Sequence, residues 1–420
     1  MIQTVSLLPG VKLRFFPDSR FKQNTLSIQF VRPMCKEEAA LNALLPAVLL
    51  RGCESAPDMR AITLKLDDLY GASVSALVRR VGDYQTTGLC CNFISDRFAM
   101  EGDRILAPTV SFLRELLLDP VLENGVFSRN FVESEKKNLV ATIEAQRNDK
   151  RAYCASRLLE KMCKEDSCGI PRLGEIEAVK AITPESVYAH YQKVLTQSRI
   201  ELCYVGEGDE NTLSALLTDL FRDISRGYVN LPEQTPFRSA GGGDFSEAMD
   251  IAQGKLSMGF ATPVTLRDDD FAAMQVCNVV FGGGMTSKLF MQVREKMSLC
   301  YDIGSSYHGS KGILTVNAGI DCDKERVVRE EVLRQLTAVQ TGEITDRELH
   351  AAKQALISGL RGIHDTPGNI ESYYASAALS GLGMTPEEYI DRISRVDKAQ
   401  VAAAARTLKL DTVYFLKGVQ

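Results

Sequence analysis

The sequence predicts an α+β fold made of two similar halves, each an antiparallel sheet covered by helices on one face. Three observations lead there. Helical and strand patterns follow one another without strict alternation, which argues against a parallel βαβ sheet. Segments recur about 230 residues apart: Leu26-Ser27-Ile28-Gln29-Phe30 matches Leu256-Ser257-Met258-Gly259-Phe260, and Pro33 matches Pro263. Further matches keep the same order, with Leu69-Tyr70-Gly71-Ala72-Ser73 against Cys300-Tyr301-Asp302-Ile303-Gly304, 183–187 against 396–401, and 200–205 against 412–416. Shared order argues for internal duplication more strongly than any one pair. Between the halves, 231–244 holds Pro232, Pro236 and Gly241-Gly242-Gly243, and supports neither a helix nor a central strand. It reads as a linker between a domain over 1–230 and a domain over 245–420.

In the first half, 11–16 and 25–31 read as strands joined by the turn Pro17-Asp18-Ser19-Arg20. A helix follows over 36–50 and stops at Gly52, and a second covers 59–69. Residues 71–77 and 83–93 alternate as strands. Helical patterns cover 103–118, ended by Asp119-Pro120, then 125–149 in one or two pieces, and 153–162. Thr183-Pro184-Glu185 opens another helix, since Thr caps and Pro fits the first turn. A strand at 200–205 and a helix at 209–220 complete the half.

Composition bounds the function. The 420 residues suffice for two or more cores. Hydrophobic residues at 45% and charged residues at 25% are ordinary for a soluble protein. A net charge of −5, with no basic run, argues against nucleic acid as a partner. The first ten residues carry no basic start followed by an apolar core, and no apolar stretch reaches membrane-spanning length. Eleven cysteines read as reduced thiols of a cytoplasmic protein rather than a disulfide framework.

The stretch 289–307 carries the candidate binding residues. It follows Gly282-Gly283-Gly284, and Thr286 or Ser287 is placed to cap a helix. Leu289, Phe290, Val293 and Met297 share a face at helical spacing, while Arg294 points elsewhere. Beyond Met297 the pattern alternates, with Tyr301, Ile303 and Ser305 on one side of a strand. Arg294 and Tyr301 thus converge across a helix-to-strand turn. A guanidinium fork and a phenol suit the carbonyls or a carboxylate of a bound peptide. The ordinary alternative is a surface ion pair from Arg294 and a half-buried Tyr301.

The element order, the repeat and the segment from Gly282 through Arg294-Glu295-Lys296 to Tyr301 resemble the insulinase, pitrilysin and mitochondrial-processing-peptidase family over nearly the whole chain. The resemblance implies a zinc motif, H-x-x-E-H, on the first long helix of the first half, with two histidines on zinc and the glutamate activating water. With the register set on Arg51 and Gly52, the histidine positions fall on Ala43 and Ala47 and the base position on Pro46. A further zinc-binding glutamate of the family maps near Thr142, with Glu133, Glu135 and Glu144 close by. None of Ala43, Pro46 and Ala47 binds zinc or takes a proton.

Other chemistry finds no support. The histidines are His190, His308, His350 and His364, and no two share the one-turn spacing of a helical metal pair. Cys163 and Cys168 lack a second cysteine pair at zinc-ribbon spacing and read as loop thiols. His308 lies near Cys300 and Tyr307, without an evident orienting group for a Cys–His nucleophile. The glycine run is no phosphate loop, because no Lys-Ser or Lys-Thr pair follows it at the right distance. The expectation is therefore a chain with no catalytic residues, no metal and no cofactor. By the resemblance it is the bacterial, non-catalytic substrate-binding subunit of a heterodimeric zinc peptidase, using Arg294 and Tyr301 beside a partner that brings the zinc. The alternative is a scaffold or binding protein, since zinc-free relatives include structural subunits of a respiratory complex and proteins linked to modification of translation elongation factor P.

Overall fold

A computed structural model describes residues 2–418. The chain forms two compact units. The first comprises the chain up to Ile143, with Arg172–Glu233 and His364–Leu379; the second comprises Glu144–Pro171, Gln234–Ile363 and the chain from Ser380.

In the first unit, strands β1 (Gln3–Leu8), β2 (Val11–Pro17), β3 (Gln23–Pro33), β4 (Ser73–Val81), β5 (Tyr84–Ile94) and β6 (Arg199–Gly206) form one sheet in the order β1-β2-β6-β3-β5-β4. All neighbours are antiparallel except β2 and β6, which run parallel. In the second unit, β7 (Asp244–Met249), β8 (Gly254–Ala261), β9 (Cys300–His308), β10 (Ile313–Ile320) and β11 (Lys409–Gly418) run β9-β10-β8-β11-β7, again with one parallel pair, β11 and β7. From β2 to β4 and from β7 to β9, five strands of each sheet thus follow one order. Helix starts follow the local chemistry. Thr183 and Ser186 form a reciprocal capping box with Pro184 in the first turn, as the sequence predicts.

Each sheet buries its apolar face under helices. Leu26, Ile28 and Phe30 of β3 lie in the core with Leu44 and Val48 of the helix Lys36–Leu49. The other face corrects the expectation of one-sided cover. Ser27 and Gln29, which alternate with those apolar residues and read as a solvent face, are buried. They lie beneath the helix Pro367–Ser380, a segment from the far end of the chain. Its Glu371 accepts hydrogen bonds from Ser27 Oγ (2.6 Å) and Gln29 Nε2 (3.0 Å), and two from the Arg79 guanidinium (2.9 and 2.8 Å). A buried carboxylate needs such partners, because ionic desolvation is costly.

The second unit is covered likewise by the helix Lys150–Met162, from the first half of the sequence. Its Tyr153 donates to Glu247 of β7 (3.1 Å), and its Cys154 lies against Ser257. Gly259 is the seat of this helix. A Cβ there meets Met162 Sδ at 2.6 Å, so a larger residue would have to push the Met162 side chain aside. The boundaries 1–230 and 245–420 therefore differ from the compact units in these two segments. The intervening 231–244 is irregular up to β7 but tethered: Phe237 N donates to Lys311 O (2.8 Å).

Two local expectations are corrected. The helix expected over 125–149 spans Arg129–Gln146, because Val126–Phe127 pairs with Leu122–Glu123 through a turn with Asn124 and Gly125 at positive φ. Cys163 and Cys168 are not loop thiols but a disulfide, with Cα atoms 5.6 Å apart. The tight turn between them brings them into bridging range: Asp166 N donates to Cys163 O, and the Asp166 carboxylate accepts from Cys168 N, both at 2.9 Å. Among the described residues the other nine cysteines are free, and no helix is long and apolar enough to cross a membrane.

Candidate functional site

The positions matched to the zinc motif sit in the first unit, on the helix Lys36–Leu49. Ala43 and Pro46 are buried and Ala47 is half-buried. Proline in a helix interior lacks the N–H that its i−4 carbonyl needs. Here that carbonyl belongs to Asn42, and the hydroxyl of buried Thr87 on β5 donates to it at 2.6 Å. Thr87 thus replaces the missing amide, and the helix continues, with Leu50 N on Pro46 O at 3.2 Å.

A buried polar chain surrounds Asn42. Gln85 Nε2 donates to the carbonyls of Ala39 (3.1 Å) and Arg172 (2.7 Å), so its Oε1 accepts from Asn42 Nδ2 (2.9 Å). Asn42 Oδ1 is then the acceptor for His190 Nε2 at 2.8 Å, which fixes the proton on Nε2. Burial lowers His190 to about 4, against the opposing pull of Glu38, so the ring is neutral at pH 7. Glu38 is itself occupied. Burial would raise it, but hydrogen bonds from Arg32 and Lys193 bring it to about 2.

Two of the three carboxylates near Thr142 are occupied too. Glu135 takes Arg51 at 3.2 Å and Glu133 takes Lys136 at 2.9 Å, while Glu144 is exposed. Thr142 is exposed and returns its hydroxyl to Asn138 O at 2.8 Å. A zinc ion does not fit these residues: Ala43, Pro46 and Ala47 offer it no side-chain donor atom. Among all described residues no three of His, Cys, Asp or Glu are grouped to hold a metal ion.

Arg294 and Tyr301 lie in the second unit, and both line one open pocket of about 440 Å³. The glycine run makes the approach to it. Gly282 O accepts from Ser305 N at 2.9 Å, and a Cβ on Gly282 meets Leu289 and Ser305 at 2.7 Å, so glycine alone fits there. Ser287 then accepts from Phe290 N at 3.3 Å, as the predicted cap. The helix Leu289–Lys296 is a π-helix rather than the expected α-helix. Its last turn closes with Met297 N on Gln292 O at 3.0 Å, and Ser298 at positive φ ends it.

The wider turn shifts the faces. Leu289 and Val293 are fully buried, but Met297 is exposed, against the expectation of a common face. Arg294 is left partly exposed, stacked over the Phe290 ring at 4.7 Å and 3.5 Å from Glu295.

Tyr301 is also re-aimed. Cys300 pairs with Ile320 and Asp302 with Gly319, so Tyr301 is the extra residue of a β-bulge. Ile303 and Ser305 share one side as expected and are buried, but Tyr301 leaves that side and is 59% exposed. Its hydroxyl donates to Asp321 Oδ1 at 3.0 Å, and Lys324 Nζ holds Asp321 Oδ2 at 2.7 Å. Asp321 and Lys324 also line the pocket, and sequence reasoning missed both. Their only signal is the hairpin pairing of β9 with β10, which brings position 321 beside position 301. Burial pushes the Cys300 thiol up to about 11, away from the thiolate form that a nucleophile uses.

A family profile described as Peptidase M16 inactive domain matches residues 181–356. A Bacillus subtilis protein named probable inactive metalloprotease YmfF is 30% identical over 98% of this chain and 96% of its own length. The chain belongs to the M16 peptidase family. Solved relatives share its fold from end to end. A conserved protein from Enterococcus faecalis superposes with TM-score 0.93 at 28% identity, covering 100% of this chain and 99% of that one. An M16 inactive-domain protein from Pseudomonas fluorescens does so with TM-score 0.83 at 17% identity, covering 100% and 98%. This chain is thus an inactive M16-type homologue, and the residues on its first helix agree with that description.

Proposed function

We propose that this chain is the substrate-binding, non-catalytic subunit of a two-chain zinc peptidase in the bacterial cytoplasm. The partner is an M16 chain with an intact zinc motif, and this chain supplies the grip on the peptide. The observation that carries the reading is the placement of Arg294 and Tyr301 on one open pocket, each presented by a departure from regular geometry, a π-helix and a bulge. Such departures concentrate at functional sites because they re-aim side chains. Arg294 donates to a peptide carbonyl and positions the chain for chemistry performed elsewhere. The duplicated architecture that the reading assumes is supported by the matching strand order of the two sheets.

Reconstitution with the zinc-bearing M16 chain of the same cell tests the reading. Losing a charge-assisted bond at Arg294 and a neutral one at Tyr301 is expected to cut turnover roughly tenfold or more in Arg294→Ala/Tyr301→Phe. Complex formation and melting temperature should stay near wild type. A scaffold role without proteolysis, such as attachment to the machinery that modifies translation elongation factor P, is favoured by one observation: both residues already have partners within the chain, Phe290 and Asp321. Unchanged turnover in an intact complex selects that second reading.

A further inference from the structure

We propose that Asp321 sets the hydrogen-bond polarity of Tyr301, so that Tyr301 accepts a backbone N–H from an extended peptide while Arg294 donates to a carbonyl of the same strand. The proposal rests on the peptide-binding reading above and deepens it. A phenol has one proton to donate and lone pairs to accept with. In Tyr301 the proton is committed, at 3.0 Å from Asp321 Oδ1.

Asp321 is held for this task on three sides. Its own backbone carbonyl takes Lys324 N at 3.0 Å, closing the short turn Cys322–Lys324. Its second carboxylate oxygen takes the Lys324 ammonium at 2.7 Å. Its first oxygen is left for the phenol. Hydrogen bonds from Lys324 and Tyr301 hold the Asp321 carboxyl below its ordinary range, and the bond to Asp321 holds the Tyr301 phenol above its own. At neutral pH the proton therefore stays on the phenol and points at Asp321. What the phenol turns toward a ligand is an acceptor.

Arg294 is the complement, with five donors and no acceptor. Arg294 and Tyr301 thus present one donor group and one acceptor group to the pocket. An extended peptide exposes N–H and C=O groups in alternation along its edge and satisfies both. A free carboxylate offers only acceptors, and would set an oxygen against the lone pairs of Tyr301.

The test uses the whole chain and the tightest binder from a library of end-capped nonapeptides, remade with each amide methylated in turn. One methylated position is expected to weaken binding to wild type by roughly three- to tenfold, the size of one net hydrogen bond. Tyr301→Phe and Asp321→Ala should abolish that selective penalty. All melting temperatures should stay unchanged. A penalty that survives Tyr301→Phe or Asp321→Ala overturns the proposal. The pH titration of the Tyr301 ring by NMR reads the same bond without peptide and should move down in Asp321→Ala. No movement overturns the proposal whatever the peptide does. A clear movement in a chain that binds no peptide overturns the proposed function, and with it this role of Asp321.

Discussion

Replacing Thr87 with valine removes the hydroxyl that stands in for the amide missing at Pro46. Thr87 Oγ1 lies 2.6 Å from Asn42 O, and both residues are buried. Valine keeps the shape and leaves the carbonyl dry and unpaired, which costs about 1–3 kcal/mol. In a domain of this size that is a fall of roughly 2–12 °C in melting temperature. The decisive comparison is with Pro46→Ala. Alanine restores an N–H for Asn42 O, so Thr87→Val on that background should cost less than about 0.5 kcal/mol. Urea unfolding of wild type, both single variants and the double variant closes the cycle and isolates the coupling, whatever Pro46→Ala does alone by removing its ring from the apolar space beside Phe30 and Leu117. Equal cost of Thr87→Val on the two backgrounds would falsify the substitution of hydroxyl for amide.

Arg79→Ala strands the carboxylate of Glu371, which is 1% exposed, and should destabilise the chain by about 3–5 kcal/mol; a loss under 1 kcal/mol in chemical denaturation, roughly that of a surface pair, rejects the burial argument. Burial lowers His190 from 6.5 to about 4, so the unfolded chain takes up a proton where the folded chain does not. Its contribution to stability is complete above pH about 6.5 and is lost as pH falls toward 4; His190→Gln should flatten that limb of the urea midpoint, and parallel limbs refute the assignment. The purified chain is expected to take up no stoichiometric zinc on soaking and to leave peptides uncut with or without chelator. Tight binding of one ion per chain with chelator-sensitive cleavage would refute this.

Periodicity made much of the fold legible. The apolar residues of β3 and of the helix Lys36–Leu49 carry their burial in their spacing, and Thr183-Pro184 marks a helix start by local chemistry alone. The second face of each sheet was not legible. Ser27, Gln29, Ser257 and Gly259 look like a solvated edge, because what covers them comes from a distant part of the chain. At the site, the types of Arg294 and Tyr301 were readable but their directions were not. A π-turn adds a residue to a helical turn and a bulge adds one to a strand, and neither leaves a mark in the hydrophobic pattern. Asp321 escaped for a related reason: it meets Tyr301 across a strand pairing that no local motif announces. The disulfide between Cys163 and Cys168 depended on a tight turn that their spacing alone did not fix.

The helix Pro367–Ser380 has a consequence for how the chain is made. The first unit has its sheet and its main helices once Glu233 has been synthesised, but not the helix that supplies Glu371. A further 146 residues separate Glu233 from Leu379. At about 5–20 residues per second the nascent chain waits roughly 7–30 s for that helix. During that interval Arg79 has no carboxylate, and the face bearing Ser27, Gln29 and Cys203 lies open. The first unit cannot mature on the ribosome before most of the second has been made, whereas successive domains ordinarily mature one by one. The whole chain becomes the unit of synthesis, and a ribosome that stalls between these points releases a sheet with one bare side for chaperones to hold.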